Sequence, residues 1–187
     1  MSDAVTISDS ALFEILPGLP GVGPIPEAFS ATGQGTQSEG FVVHFHPRTS
    51  ESWIGNFQGG DGSLDGVFLY PDKRTVIVVS RGQAYHVDPQ SRSLLRHFGG
   101  CITTMVKDDA RSLLIFADWT HLWAFDTTGQ RWESERVSID GIRNLRIEAD
   151  SIVGEDFDPT GEKWRKFSVS LETGKLKNRL LNFFTRW

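Results

Sequence analysis

TVIVVSRGQAYHVDPQSRSLLRHFGG, Thr75–Gly100, and SLLIFADWTHLWAFDTTGQRWESERV, Ser112–Val137, are two settings of one pattern. Each runs through an apolar stretch, a tight turn, an aromatic-x-apolar-Asp strand, a polar turn and a further strand. Val76, Leu114 and Ile152 keep a step of 38 residues. A strand-and-turn unit repeated at that period predicts small antiparallel sheets stacked like the blades of a propeller.

Working outward, the same grammar extends in both directions. Aligning Pro47 with Pro89 matches FVVHF (Phe41–Phe45) and SWIGNF (Ser52–Phe57) to the later strands of the Thr75 unit. The predicted units span about 40–60, 61–100, 101–141 and 142–181, giving three to four four-stranded sheets. Val87, Phe125 and Val169 are spaced by 38 and then 44 residues. The six extra residues are assigned to an Asp156–Glu162 turn, where an insertion costs least. Tyr85-x-Val87, Trp123-x-Phe125 and Phe167-x-Val169 place apolar residues on one face of each third strand. The fold class expected is all-β and propeller-like, with an open β-sandwich as the alternative.

The ends differ from the middle. Residues 1–39 are set apart as a Pro/Gly-rich segment packed on the body, or as the completion of a further blade. LPGLPGVGPIPE has four prolines and three glycines and no ladder of its own. At the other end, Leu176, Leu180, Phe184 and Trp187 have helical spacing, predicting a short C-terminal helix. A closing strand competes with it, and residues 182–187 read as a tail.

Net charge is −5, which disfavours nucleic acid and anionic membrane and suits a basic protein partner. Cys101 is the one cysteine, so no internal disulfide and no cysteine-based zinc site can form, and a buried inert thiol is expected. MSDAVTISDS lacks the positive and apolar regions of a secretory leader, giving a cytoplasmic expectation.

From about Ser38 onward the chain resembles a family of bacterial β-repeat proteins without an assigned activity. The resemblance is carried by SEGFVVHFHP, SWIGNFQGG, GVFLYPDKRTVIVVSRGQAYHVDP and SIDGIRNLRIEADSIVGEDFDPTGEKWRKFSVSLETG. It implies a β-repeat fold and no catalytic residue. A looser architectural similarity is to WD-repeat and quinoprotein blades, although the Trp-Asp and Gly-His signatures of WD repeats are missing.

Candidate chemistry is sparse. There is no G-x-S-x-G elbow, P-loop, dinucleotide fingerprint or H-E-x-x-H, and no catalytic residue is assigned. Asp61, Ser63 and Asp65 alternate in a glycine-rich turn with Asp72 at the twelfth position, a spacing that suits calcium. Strands flank it rather than helices, so an ordinary turn is the first reading and calcium the alternative cofactor. His44 and His46 share a strand face, and His86 is the repeat equivalent of His44; together they suit zinc or a similar ion, or are simply hydrogen-bonded. Glu155, Asp156, Asp158 and Glu162 crowd one hairpin and read as solvated like charges. Trp123 reads as core. Trp119, in a hairpin turn, is the principal candidate contact residue, with Trp53 and Trp132 beside it.

These features point to a non-enzymatic scaffold for protein–protein interaction, of immunity or adaptor type, acting alone or as a homodimer. The alternatives are a small metal-dependent hydrolase or lactonase, and a carbohydrate-binding module.

Overall fold

The computed structural model describes residues 12–33 and 38–179. Among them there are strands and no helix, hence none long and apolar enough to cross a membrane. The strands form four four-stranded sheets of the propeller-blade type, and none closes into a barrel. The chain divides into two compact units, residues 1–101 and 102–187.

In the first unit, β1 (Phe13–Leu16), β2 (Glu27–Phe29), β3 (Phe41–Phe45) and β4 (Trp53–Phe57) form a sheet in the order β1-β3-β4-β2. The second sheet is a meander of β5 (Gly66–Leu69), β6 (Val76–Ser80), β7 (Gln83–Asp88) and β8 (Ser93–Gly99). Phe13, Val43, Phe45, Trp53 and Phe57 of the first sheet share one core with Val76, Val78, Tyr85 and Val87 of the second. Every residue of VIVVS is buried, which is why that run is apolar without alternation.

The second unit holds two meanders. One comprises β9 (Thr104–Asp108), β10 (Leu113–Ala117), β11 (Leu122–Asp126) and β12 (Gly129–Glu133); the other β13 (Ile142–Glu148), β14 (Ser151–Asp158), β15 (Lys163–Ser170) and β16 (Leu176–Arg179). Leu113, Ile115, Leu122 and Trp132 pack with Ile142, Ile152, Phe167 and Val169 in the shared core. Tyr85, Trp123 and Phe167 are all buried on third strands of their sheets, as the period requires.

Turn chemistry sets the hairpins. Arg81 and Gly82 both have positive φ, 41° and 77°, the two-residue loop that matches strand twist. Asp65 Oδ1 accepts the Arg81 N–H at 2.6 Å and pins that turn.

Two open choices close and one expectation changes. The segment before residue 40 takes its blade-completing reading and supplies both outer strands of the first sheet. β1 pairs antiparallel with β3, and β2 pairs parallel with β4, so that sheet is no simple meander. The Asp156–Glu162 insertion is not a loop: β14 runs to Asp158 and β15 starts at Lys163, and the extra residues lengthen both strands of the hairpin. Finally, Leu176–Arg179 is a strand paired with β15, so the closing-strand reading holds there and the helical one does not. Val169 opposite Leu176 already spends those backbone groups on a ladder. The rest of the helical reading, 180–187, lies outside the described residues.

Candidate functional site

Among the three candidate tryptophans, the structure separates one from two. Trp53, on β4, is buried, and its Nε1–H donates to the Pro89 carbonyl at 2.8 Å. Trp132, on β12, is buried too, and its Nε1–H donates to the Leu171 carbonyl at 3.0 Å. Each acceptor directly follows the third strand of the next sheet in the same unit. The two indoles are therefore one repeated latch between consecutive sheets, and neither has a face to offer a ligand. Burial of a large ring with its single donor satisfied is the more stable use of tryptophan.

Trp119 differs, with 45% of its surface exposed. It sits in the turn between β10 and β11, which Asp118 stiffens. Asp118 Oδ1 accepts the N–H groups of Thr120 and His121, both at 2.6 Å, and the Thr120 hydroxyl at 3.1 Å. The Trp119 carbonyl accepts Gly141 N–H at 2.9 Å, tying the turn to the entry of β13. The indole is thus held out on a fixed backbone.

Beside it lies an open cleft of about 300 Å³ lined by Trp119, Trp164, Thr103, Asp140, Gly141 and Ile142. Trp164, on β15, is half-buried against Phe157, and the Arg143 guanidinium lies 4.0 Å above its ring. Gly141, at φ 137°, leaves room for that ring: a Cβ there would come within 3.3 Å of Trp164 Cη2. Arg143 is anchored by its Nε–H to Glu155 Oε2 at 2.7 Å, and this bond, with one from Asn144, holds the Glu155 carboxyl below the usual range. At the floor, Thr103 Oγ1 is buried with no hydrogen-bond partner among the described residues. Asp140 at the rim is exposed. The exposed Trp119 indole, the half-buried edge of Trp164 and the Asp140 carboxylate make a surface for an apolar stem with a polar or cationic end.

The calcium set is not assembled. Asp65 caps the β6–β7 turn, while Asp72 Oδ1 accepts the N–H groups of Arg74 and Thr75 at 2.8 and 2.9 Å. Asp61 and Ser63 are exposed, and Asp61 N–H donates to Gly100. The carboxylates of Asp65 and Asp72 are spent on turns, and no group of His, Cys, Asp or Glu ligands among the described residues includes Asp61, Asp65 or Asp72.

His86 is likewise separated from His44 and His46, which lie on the other sheet of the unit. The Thr75 hydroxyl donates to Asp72 Oδ2 at 2.9 Å and lies 2.7 Å from His86 Nε2, whose ring stacks on Tyr70 at 4.1 Å. Burial lowers the His86 pKa, and the Asp72 charge opposes it only in part. For Asp72, burial pushes the pKa upward but is outweighed by the bonds from Thr75 and Arg74. This is a structural relay between hairpin and strand.

His44 and His46 do come together, with ring centroids 4.2 Å apart. Burial and then the His46 charge lower the His44 pKa against the pull of Glu14. Glu14, on β1, was not visible as a partner in the sequence. The carboxylate-rich hairpin is also not a solvated patch: Asp156 and Asp158 are buried and share Arg165. Cys101 is only half-buried.

No family model and no curated protein matches the chain. Solved structures do. One described as the eukaryotic initiation factor aligns at 9% identity and TM-score 0.42, over 75% of this chain and 39% of that one. Saccharomyces cerevisiae Sqt1 aligns at 12% and 0.43, over 90% and 48%. Kuenenia stuttgartiensis hydrazine synthase aligns at 10% and 0.31, over 60% and 47%. The chain spans less than half of each. Such distant likeness says nothing of what the cleft binds.

Proposed function

We propose that the protein is a non-catalytic interaction scaffold whose second unit grips a basic segment of a partner protein in the Trp119–Trp164 cleft. The observation that carries this is Trp119, a large apolar ring kept in water by a turn that three hydrogen bonds to Asp118 make rigid. Leaving such a ring exposed forfeits on the order of 2 kcal/mol of burial, which a partner recovers on docking. Asp140 at the rim and the net charge of −5 favour a Lys or Arg side chain, whose stem lies on the Trp119 indole. An adaptor, or an immunity-type protein that covers a basic active surface, fits this chemistry.

Fluorescence titration with matched lysine/arginine-rich, acidic and neutral peptides tests it. The basic peptides are expected to shift the tryptophan emission, and Trp119→Ala to abolish the shift. Equal binding of all three peptides, or an unchanged response in the variant, overturns the reading. A response to neutral oligosaccharides alone would transfer the cleft to carbohydrate recognition.

A further inference from the structure

We propose that Glu14, His44 and His46 form a site for a divalent transition-metal ion, Zn²⁺ in the first instance, on the first sheet. One ligand atom from each residue lies within 4.8 Å of the other two. The backbone sets this up. Glu14 and His44 are directly opposed across β1 and β3, so their side chains leave the sheet on the same face. His46, two residues on, leaves on that face as well. Its N–H donates to the Leu12 carbonyl at 2.8 Å, which carries the ladder one step past β3 and fixes its direction.

Zinc bonds of about 2.0–2.2 Å in a tetrahedron put neighbouring ligand atoms about 3.3 Å apart. Closing from the present spacing needs only side-chain rotation, and the exposed Glu14 and half-buried imidazoles have room for it. Two imidazoles and one carboxylate are a borderline donor set, which selects zinc and its neighbours over calcium or magnesium. Water would complete the set at this partly exposed face. Repeat symmetry does not explain the cluster: at the equivalent pair of the second sheet, His86 faces Ile77. Because Glu14 lies on the edge strand and both histidines on the β3 side, the ion would clip β1 to its sheet. A ligand that binds only the folded form raises the melting temperature.

The test uses the untagged full chain, stripped with chelator and dialysed against Zn²⁺, with bound metal measured by mass spectrometry and melting followed by circular dichroism. One equivalent of Zn²⁺ and a higher melting temperature are expected, and Co²⁺ should give the visible absorption of a tetrahedral site. His44→Ala and His46→Ala should each weaken binding by more than about tenfold. His97→Ala, at an exposed histidine on β8, should leave it unchanged. Glu14→Gln keeps strand pairing and size and should also weaken binding, so the outcome does not hang on a variant that misfolds. Substoichiometric metal in the parent chain, or an affinity equal to the parent's in Glu14→Gln or in His46→Ala, overturns the proposal.

Discussion

Arg165 Nη2 lies 3.1 Å from Asp156 Oδ2, and the two residues are directly opposed across β14 and β15. The Nη1 of the same guanidinium reaches Asp158 Oδ2 at 3.2 Å. Two carboxylates on one strand face are thus held by a single cation from the facing strand, in the part of the hairpin that exceeds the repeat length. Asp156 has no exposed surface, and its Oδ1 has no partner among the described residues.

Removing the cation should therefore cost much more than a surface pair would. Arg165→Met leaves Asp156 buried and uncompensated, and a loss of about 3–5 kcal/mol is expected in urea unfolding. Adding Asp156→Leu to that variant should restore part of it, because the isolated charge goes too. A loss below 1 kcal/mol, the scale of an exposed pair, would show that the pair contributes no more than one.

The tryptophans should divide by role. Trp53→Phe and Trp132→Phe each remove an indole donor and strand a buried carbonyl, of Pro89 or Leu171, at a cost of about 1–3 kcal/mol. Trp119→Ala should stay within about 0.5 kcal/mol of the parent while losing peptide binding. Chemical denaturation of the three variants side by side checks the split.

Tyr85 gives a pH signature. Its hydroxyl donates to the Gln58 carbonyl at 2.8 Å, and burial pushes its pKa up to about 12. A folded-state pKa above the unfolded value near 10 means the folded form holds the proton more tightly. Its contribution is therefore fully present below about pH 10 and is lost as pH rises towards 12, on the order of 2–3 kcal/mol in all. Tyr85→Phe should be less stable than the parent by about 1–2 kcal/mol at neutral pH. The gap should close and then reverse between pH 10 and 12, measured by urea midpoints across that range.

Gly174 is a steric prediction. Its φ is 70°, and a Cβ there would meet Trp132 Cε3 at 2.6 Å. Gly174→Ala combines left-handed strain with displacement of the latch tryptophan, for an expected loss of about 2–4 kcal/mol. Gly129→Ala, at a positive φ but with open space around it, should cost less. Thermal melts of the pair distinguish crowding from backbone strain.

Much of the architecture can be read along the chain. VIVVS and LLIFA stand where the apolar runs place them, whereas the exposure of Trp119 is not fixed by its hairpin position, since a ring there can also fold back onto the sheet. The misreadings share a cause. Asp156 and Asp158 look like turn residues because Pro159 and Gly161 follow them, yet pairing with Arg165 extends the strands beneath. Trp53 and Trp132 look available because nothing nearby reveals a carbonyl waiting on the next sheet. Glu14 sits in ALFEIL, residues 11–16, which suits a short strand or a single helical turn, and nothing local marks its pairing with β3.

Strand positions, repeat length and turn types follow from alternation and local dihedral preference, which act over a few residues and are therefore written in order along the chain. Which side chains meet is another matter. Glu14 with His44 and His46, Trp119 with Trp164, and Arg165 with its two carboxylates are set by register and sheet stacking. A shift of one residue in pairing would turn each of these groups to the opposite face, and that choice is made by the packed core as a whole.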